Sequence, residues 1–128
     1  MATWTADQLP DMTGTTVMIT GAGGGIGLVT TRELARSGAH VVLAVRDVEK
    51  TRRAVAGMPG DLDVRRLDVS DLDSVRAFAQ SYTGDIDVLI NNAGVMDIPA
   101  ARTPQGLDCR PRPTTSGPSC SPTCCYPG

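Results

Sequence analysis

The sequence predicts an α/β fold in which a parallel sheet alternates with helices. Three observations carry this. Short apolar runs rich in β-branched residues recur at 16–20, 41–45, 64–67 and 86–90. Segments of helical period separate them, with glycine or capping acids at their ends. The stretches 17–19, 41–45 and 88–90 are nearly continuously apolar, the pattern of strands covered on both faces. Strand and helix in regular alternation imply right-handed crossovers and a parallel sheet.

Taken in order, Thr16-Val17-Met18-Ile19-Thr20 runs straight into glycines and reads as a buried strand ending in a turn. Ile26, Val29, Leu34 and Ala35 mark a helix that Ser37-Gly38 stops. The second strand is Val41-Val42-Leu43-Ala44-Val45, with His40 at its edge, and Asp47 caps a second helix reaching about Gly57. Residues 64–67 form a third strand, Ser70 or Asp71 caps a third helix through about Tyr82, and 86–90 is a fourth strand. No repeat of solenoid period occurs. Residues 1–13 read as an N-terminal extension and 14–108 as the domain. From 109 to 128 the sequence has neither period nor apolar face, so a disordered tail is expected.

Composition bounds the function. The 128 residues suit one domain, and the formal charge of −2 lacks the broad positive field that nucleic acid or anionic lipid requires. Apolar residues make up 41%, yet no run approaches the ~18 residues of a membrane span. The start, Met1-Ala2-Thr3-Trp4-Thr5-Ala6-Asp7, has no basic or apolar character of a secretory signal. A cytoplasmic protein with neither nucleic-acid nor membrane partners is expected. All four cysteines and six of nine prolines lie at or beyond Pro104. Cys120-x-x-x-Cys124-Cys125 has no neighbouring His and no C-x-x-C pair, so no metal site is expected.

The segment Thr20-Gly21-Ala22-Gly23-Gly24-Gly25-Ile26-Gly27 joins the first strand to the first helix. A dinucleotide pyrophosphate needs close backbone approach, free N–H groups and a helix N-terminus aimed at it. Gly21, Gly25 and Gly27 permit that approach, although a flexible loop or tight turn would also use glycines. Neither G-x-G-x-x-G nor a P-loop fits, because Ile26 occupies one required glycine and no Gly-Lys-Ser/Thr follows.

Thr-Gly-x-x-x-Gly-Ile-Gly at 20–27, Asp68-Val69 after the third strand and Asn91-Asn92-Ala93-Gly94 after the fourth resemble the motifs of the short-chain dehydrogenase/reductase family. Residues 43–47 and 91–96 most resemble its retinol-dehydrogenase-like branch. The resemblance extends over about 14–108 and implies the start of a Rossmann-type doubly wound sheet in the order 3-2-1-4. It implies a cofactor site of Gly21, Gly23, Gly24, Gly25, Ile26 and Gly27. Asp68 and Val69 would flank the adenine, and Asn92, Ala93 and Gly94 would approach the ribose or nearby backbone. Many relatives carry Asn-Ser where this chain has Gly23-Gly24, which removes side-chain donors from the loop. Arg46 follows the second strand where an acid would favour NAD, and points to NADP over NAD, unless it is a solvated surface Arg. Asp47, one step later, is accounted for as a helix cap.

The family's chemistry is hydride transfer between the cofactor and a small carbonyl or alcohol. It relies on a Ser and a Tyr-x-x-x-Lys pair, and the 128 residues contain no such pair. Tyr82 is followed four residues later by Ile86, Tyr126 has no lysine after it, and Lys50 has Arg46 four residues before it. No catalytic residue is therefore assigned, and helices that usually build the family's dimer are absent. Relatives continue from a Thr-x-x-Gly-Leu segment like 103–107 into an Asn-His-Leu-Gly helix. Shifted by one frame, codons compatible with 113–128 can encode N-H-L-G-P-F-V-L-T-N-L-L-L-P-R, so a frameshift between about 107 and 113 is expected. Three readings stay open: an oxidoreductase by ancestry, a nucleotide-binding module without catalysis, and a truncated product without function.

Overall fold

Four strands and three α-helices alternate along residues 3–94, the part of the chain that a computed structural model describes. A 3-10 turn at Ala6–Gln8 comes first. Then follow β1 (Thr16–Thr20), α1 (Gly25–Arg36), β2 (His40–Val45), α2 (Val48–Val55), β3 (Asp61–Arg66), α3 (Leu72–Ser81) and β4 (Val88–Ile90). The strands form one parallel sheet in the order β3-β2-β1-β4. This is the doubly wound order that the resemblance implied. The tail, all four cysteines and Tyr126 lie outside the described residues.

Alternation along the central strands explains why a helix layer forms on each face. Val17 and Ile19 of β1 and Val41, Leu43 and Val45 of β2 join Leu34 and Ala35 of α1 and Val55 of α2 in one cluster. Met18, Val42 and Ala44 point the other way, where Leu67 joins them and Val75 and Phe78 of α3 cover them. Ile19, Val41, Val42 and Leu43 are fully buried. Each such side chain contributes roughly 1.5–3 kcal/mol of burial, which anchors the two strands whose ends carry the site.

The helix starts follow from capping chemistry. Asp47 Oδ1 accepts from Lys50 N at 3.0 Å. Of the two caps open for α3, Asp71 is the one used, its Oδ1 accepting from Asp73 N at 3.0 Å. Gly38, with φ +93°, follows α1 and supplies the left-handed turn.

Two strands differ from the sequence reading. β3 begins at Asp61 and ends at Arg66, where 64–67 was expected, because its ladder pairs His40 with Asp61 and runs to Val45 with Arg66. As an edge strand it alternates: Leu62 and Val64 pack on the core, while Asp61 is exposed. β4 is shorter than 86–90. Asp87 still joins β1, its N–H donating to Thr16 O at 3.0 Å and its Oδ2 accepting from Thr16 N at 2.8 Å. Among the described residues β4 is an edge strand, so Val88 and Leu89 are exposed, not covered on both faces. No helix of the described residues is long and apolar enough to cross a membrane.

Candidate functional site

The glycine loop leaves the C-terminal end of β1, in the middle of the sheet, and its first residue stays tied to β2. Gly21 N donates to Ala44 O at 2.9 Å. Behind the loop, the segment after β4 presses close. A Cβ on Gly21 would lie 2.7 Å from Ala93 Cα, and one on Gly27 would lie 2.6 Å from Asn92 Nδ2 and 2.9 Å from Ala22 Cα. Neither position can carry a side chain without moving backbone. Gly25 is required for a different reason: its φ of +56° is left-handed, and its Cβ would meet nothing within 4 Å.

Thr20 and Asn92 lock this arrangement. Thr20 Oγ1 accepts from Asn92 N at 3.1 Å and from Ala93 N at 3.0 Å. The Asn92 amide donates to Thr20 O at 3.2 Å and Gly21 O at 3.3 Å. Asn92 therefore holds loop backbone with its side chain. Among the described residues, the nearest prospective contact of a Cβ on Gly94 is Asn92 O at 4.0 Å.

In front of the loop the backbone is uncovered among the described residues. Gly24 is the N-cap of α1, has open space around it and provides no side-chain cap. The first N–H groups of α1 are left for an external acceptor, as an anion at a helix N-terminus would require. Ile26, in the first turn, is 80% exposed and adds an apolar surface beside those donors.

An open groove of about 230 Å³ runs between the loop and the start of α2. Gly21, Gly23 and Gly24 line one side, and Val45, Arg46, Asp47, Lys50 and Thr51 line the other. Arg46 and Lys50 are exposed, and neither has an ion pair among the described residues. The Asp47 carboxylate caps α2, so the groove presents two cations to one committed acid. That balance suits a phosphomonoester better than a neutral hydroxyl.

Asp68 and Val69 follow β3 and do not line this groove. Asp68 Oδ1 accepts from Ser70 N at 3.0 Å and Ser70 Oγ at 2.6 Å, and Val69 packs on the α3-side core. Tyr82 lies on that side as well. Its ring stacks on Phe78 at 5.9 Å, and the Arg65 guanidinium sits 5.2 Å from its centroid. Its hydroxyl donates to Asp85 O at 3.4 Å. Lys50 and Thr51 are the site residues that sequence reasoning missed. The available signal was spacing, since Lys50 falls at the third helical position after the Asp47 cap, in the first turn beside the end of β2.

Residues 15–106 match the family model for short chain dehydrogenase. The chain belongs to the short-chain dehydrogenase family. By kinship it is part of an NAD(P)-dependent oxidoreductase family. It is 46% identical over 103 residues to retinol dehydrogenase 12 of Bos taurus, a match covering 74% of this chain and 33% of that protein. The chain thus spans about a third of the length of the curated relatives it matches. A crystal structure of an uncharacterized protein from Mycobacterium paratuberculosis superposes with a TM-score of 0.78 at 53% identity, over 82% of this chain and 39% of that one. A metagenomic short-chain oxidoreductase solved in complex with NADP gives a TM-score of 0.58 at 40% identity, over 66% of this chain and 41% of that one.

Proposed function

We propose that these residues form the NADP-binding part of a short-chain oxidoreductase whose whole-protein reaction is hydride transfer between NADP and a small carbonyl or alcohol. The observation that carries the cofactor choice is the groove holding Arg46 and Lys50 beside Gly21, Gly23 and Gly24. In this reading the loop backbone and the first turn of α1 hold the pyrophosphate. Arg46 and Lys50 hold the ribose 2′-phosphate. Asp68 and Val69 border the adenine. Ala93 and Gly94 follow Asn92, whose side chain keeps the loop in place. The fit is supported by the absence of a side-chain cap at the start of α1 and by Gly21, too close to Ala93 for a side chain. The cofactor supplies the hydride. The family's proton-donating Tyr-x-x-x-Lys does not occur in the 128 residues, so this chain is proposed to bind without turnover.

A fluorescence titration with NADPH tests this. Saturable binding in the micromolar range is expected, with NADPH and 2′,5′-ADP preferred over NADH and 5′-AMP by about tenfold or more. Arg46→Ala and Lys50→Ala should each erase most of that preference while leaving NADH binding little changed. Equal affinity for NADPH and NADH would refute the NADP assignment, and absence of all binding would favour a product without function.

The one-base-shifted string N-H-L-G-P-F-V-L-T-N-L-L-L-P-R compatible with codons 113–128 supports a frameshift within about 107–113 as part of the same proposal. Resequencing the gene through codons 103–128 and several hundred bases onward decides it. A corrected frame reaching a Tyr-x-x-x-Lys is expected. Stop codons in that frame would defeat it.

A further inference from the structure

We infer that Thr51 is a positioning residue for the dinucleotide groove, setting how closely the glycine loop approaches α2, and that Gly23 is glycine because of it. The inference rests on the NADP reading above and deepens it. A Cβ on Gly23 would lie 2.7 Å from Thr51 Oγ1, with Val45 Cγ1 at 3.9 Å. The backbone of Gly23 lies outside the left-handed region, so any L-residue could adopt it. What excludes a side chain there is space, unlike at Gly25.

Thr51 cannot yield that space. Its side chain is 1% exposed, and Oγ1 donates to Asp47 O at 2.8 Å. Its own N–H donates to the same carbonyl at 3.2 Å. A β-branched residue in a helix has few χ1 alternatives, so rotation would break the bond and enter the preceding turn. Asp47 in turn caps Lys50 N. One helical turn therefore fixes Thr51 as a stop for the loop and carries Lys50 into the same groove. The separation between the loop's N–H groups and the two cations is set by the Gly23–Thr51 contact. That separation must match the span between pyrophosphate and 2′-phosphate, so a displaced loop loses affinity without any liganding group having been removed.

The test is a double-mutant cycle on the full 128-residue chain, using NADPH affinity and thermal unfolding as readouts. Gly23→Ala forces the loop away from Thr51. Thr51→Ala removes Oγ1 and leaves Thr51 Cβ 4.0 Å from the new methyl, an ordinary contact. Gly57→Ala, at a glycine with nothing within 4 Å and outside the site, controls for a glycine-to-alanine change as such. Gly23→Ala should weaken NADPH binding about tenfold, and the double variant should recover to within about threefold of Thr51→Ala alone. If Gly23→Ala does not fold, a double variant that folds and binds carries the same conclusion. The inference is overturned if Gly23→Ala binds like the parent. A double variant no better than Gly23→Ala overturns it as well. So does a Gly23→Ala protein that unfolds earlier yet binds with parental affinity when folded, because the contact would then serve the fold alone. A parent chain that binds no NADPH defeats the cofactor reading itself, an outcome distinct from a parent that binds and a Gly23→Ala that makes no difference.

Discussion

Thr20, a residue 7% exposed, holds two N–H groups, from Asn92 and Ala93, on its hydroxyl. Valine at this position keeps the shape and removes the acceptor, leaving the Ala93 N–H without its partner in a part-buried site, while the Asn92 N–H keeps its bond to Ile90 O at 3.0 Å. A loss of about 2 kcal/mol in unfolding free energy is expected for Thr20→Val, from the cost of one unmet donor. Urea denaturation measures it, and amide exchange at Ala93 should accelerate more than at Asn92 or Ile19. At this scale the sequence was partly legible. The motif pointed to Asn92 as a group near the ribose or nearby backbone, and its amide sits on the carbonyls of Thr20 and Gly21. Gly21 and Gly27 were expected to permit close backbone approach. The chain segment that comes close is 92–93, which no local pattern reveals because it lies some 70 residues away in sequence.

At the scale of elements, α2 joins fold and site. Its eight residues are too few to be stable alone, so the Asp47 cap and the burial of Thr51 and Val55 matter disproportionately. Asp47→Ala should cost about 1 kcal/mol of stability through the lost cap. The same change removes the one acid that lines the groove, so NADPH affinity should rise. A fall in NADH affinity larger than in NADPH affinity, with helix content unchanged, would show that Asp47 ligates the ribose and would argue for NAD instead. Circular dichroism melting and titration with NADPH and NADH on one preparation give these numbers. The strand β3 shows why local pattern fails at an edge. Asp61 and Asp63 do not look like strand residues, yet the β2 ladder extends to them because backbone pairing with His40 and Val42 satisfies their N–H and C=O groups.

On the scale of the molecule, the sheet has a well-buried centre and an exposed flank. β1 and β2 bury nearly every side chain, whereas Val88 and Leu89 of β4 are 40% and 54% exposed among the described residues. An apolar edge strand is a template for pairing with another chain. The purified 128-residue chain should therefore aggregate, and Leu89→Lys should suppress this, as light scattering at fixed concentration would show. Unchanged scattering would locate the association elsewhere.

The sequence by itself determined the order and kind of elements, because burial on both faces of a central strand imposes a composition that survives without coordinates. Residues 17–19 and 41–45 have that composition, and the parallel alternation follows from it. It also determined the family, since the motifs at 20–27 and 91–94 pack closely against each other and so demand particular residues at particular places. Only the tertiary structure decided which residues share the groove. Lys50 and Thr51 look like ordinary helix residues until the crossover from β2 sets α2 beside the loop. It is this packing that brings Thr51 Oγ1 within 2.7 Å of where a Gly23 side chain would begin. Contacts between elements depend on how the elements cross in space, and one-dimensional pattern does not encode that distance.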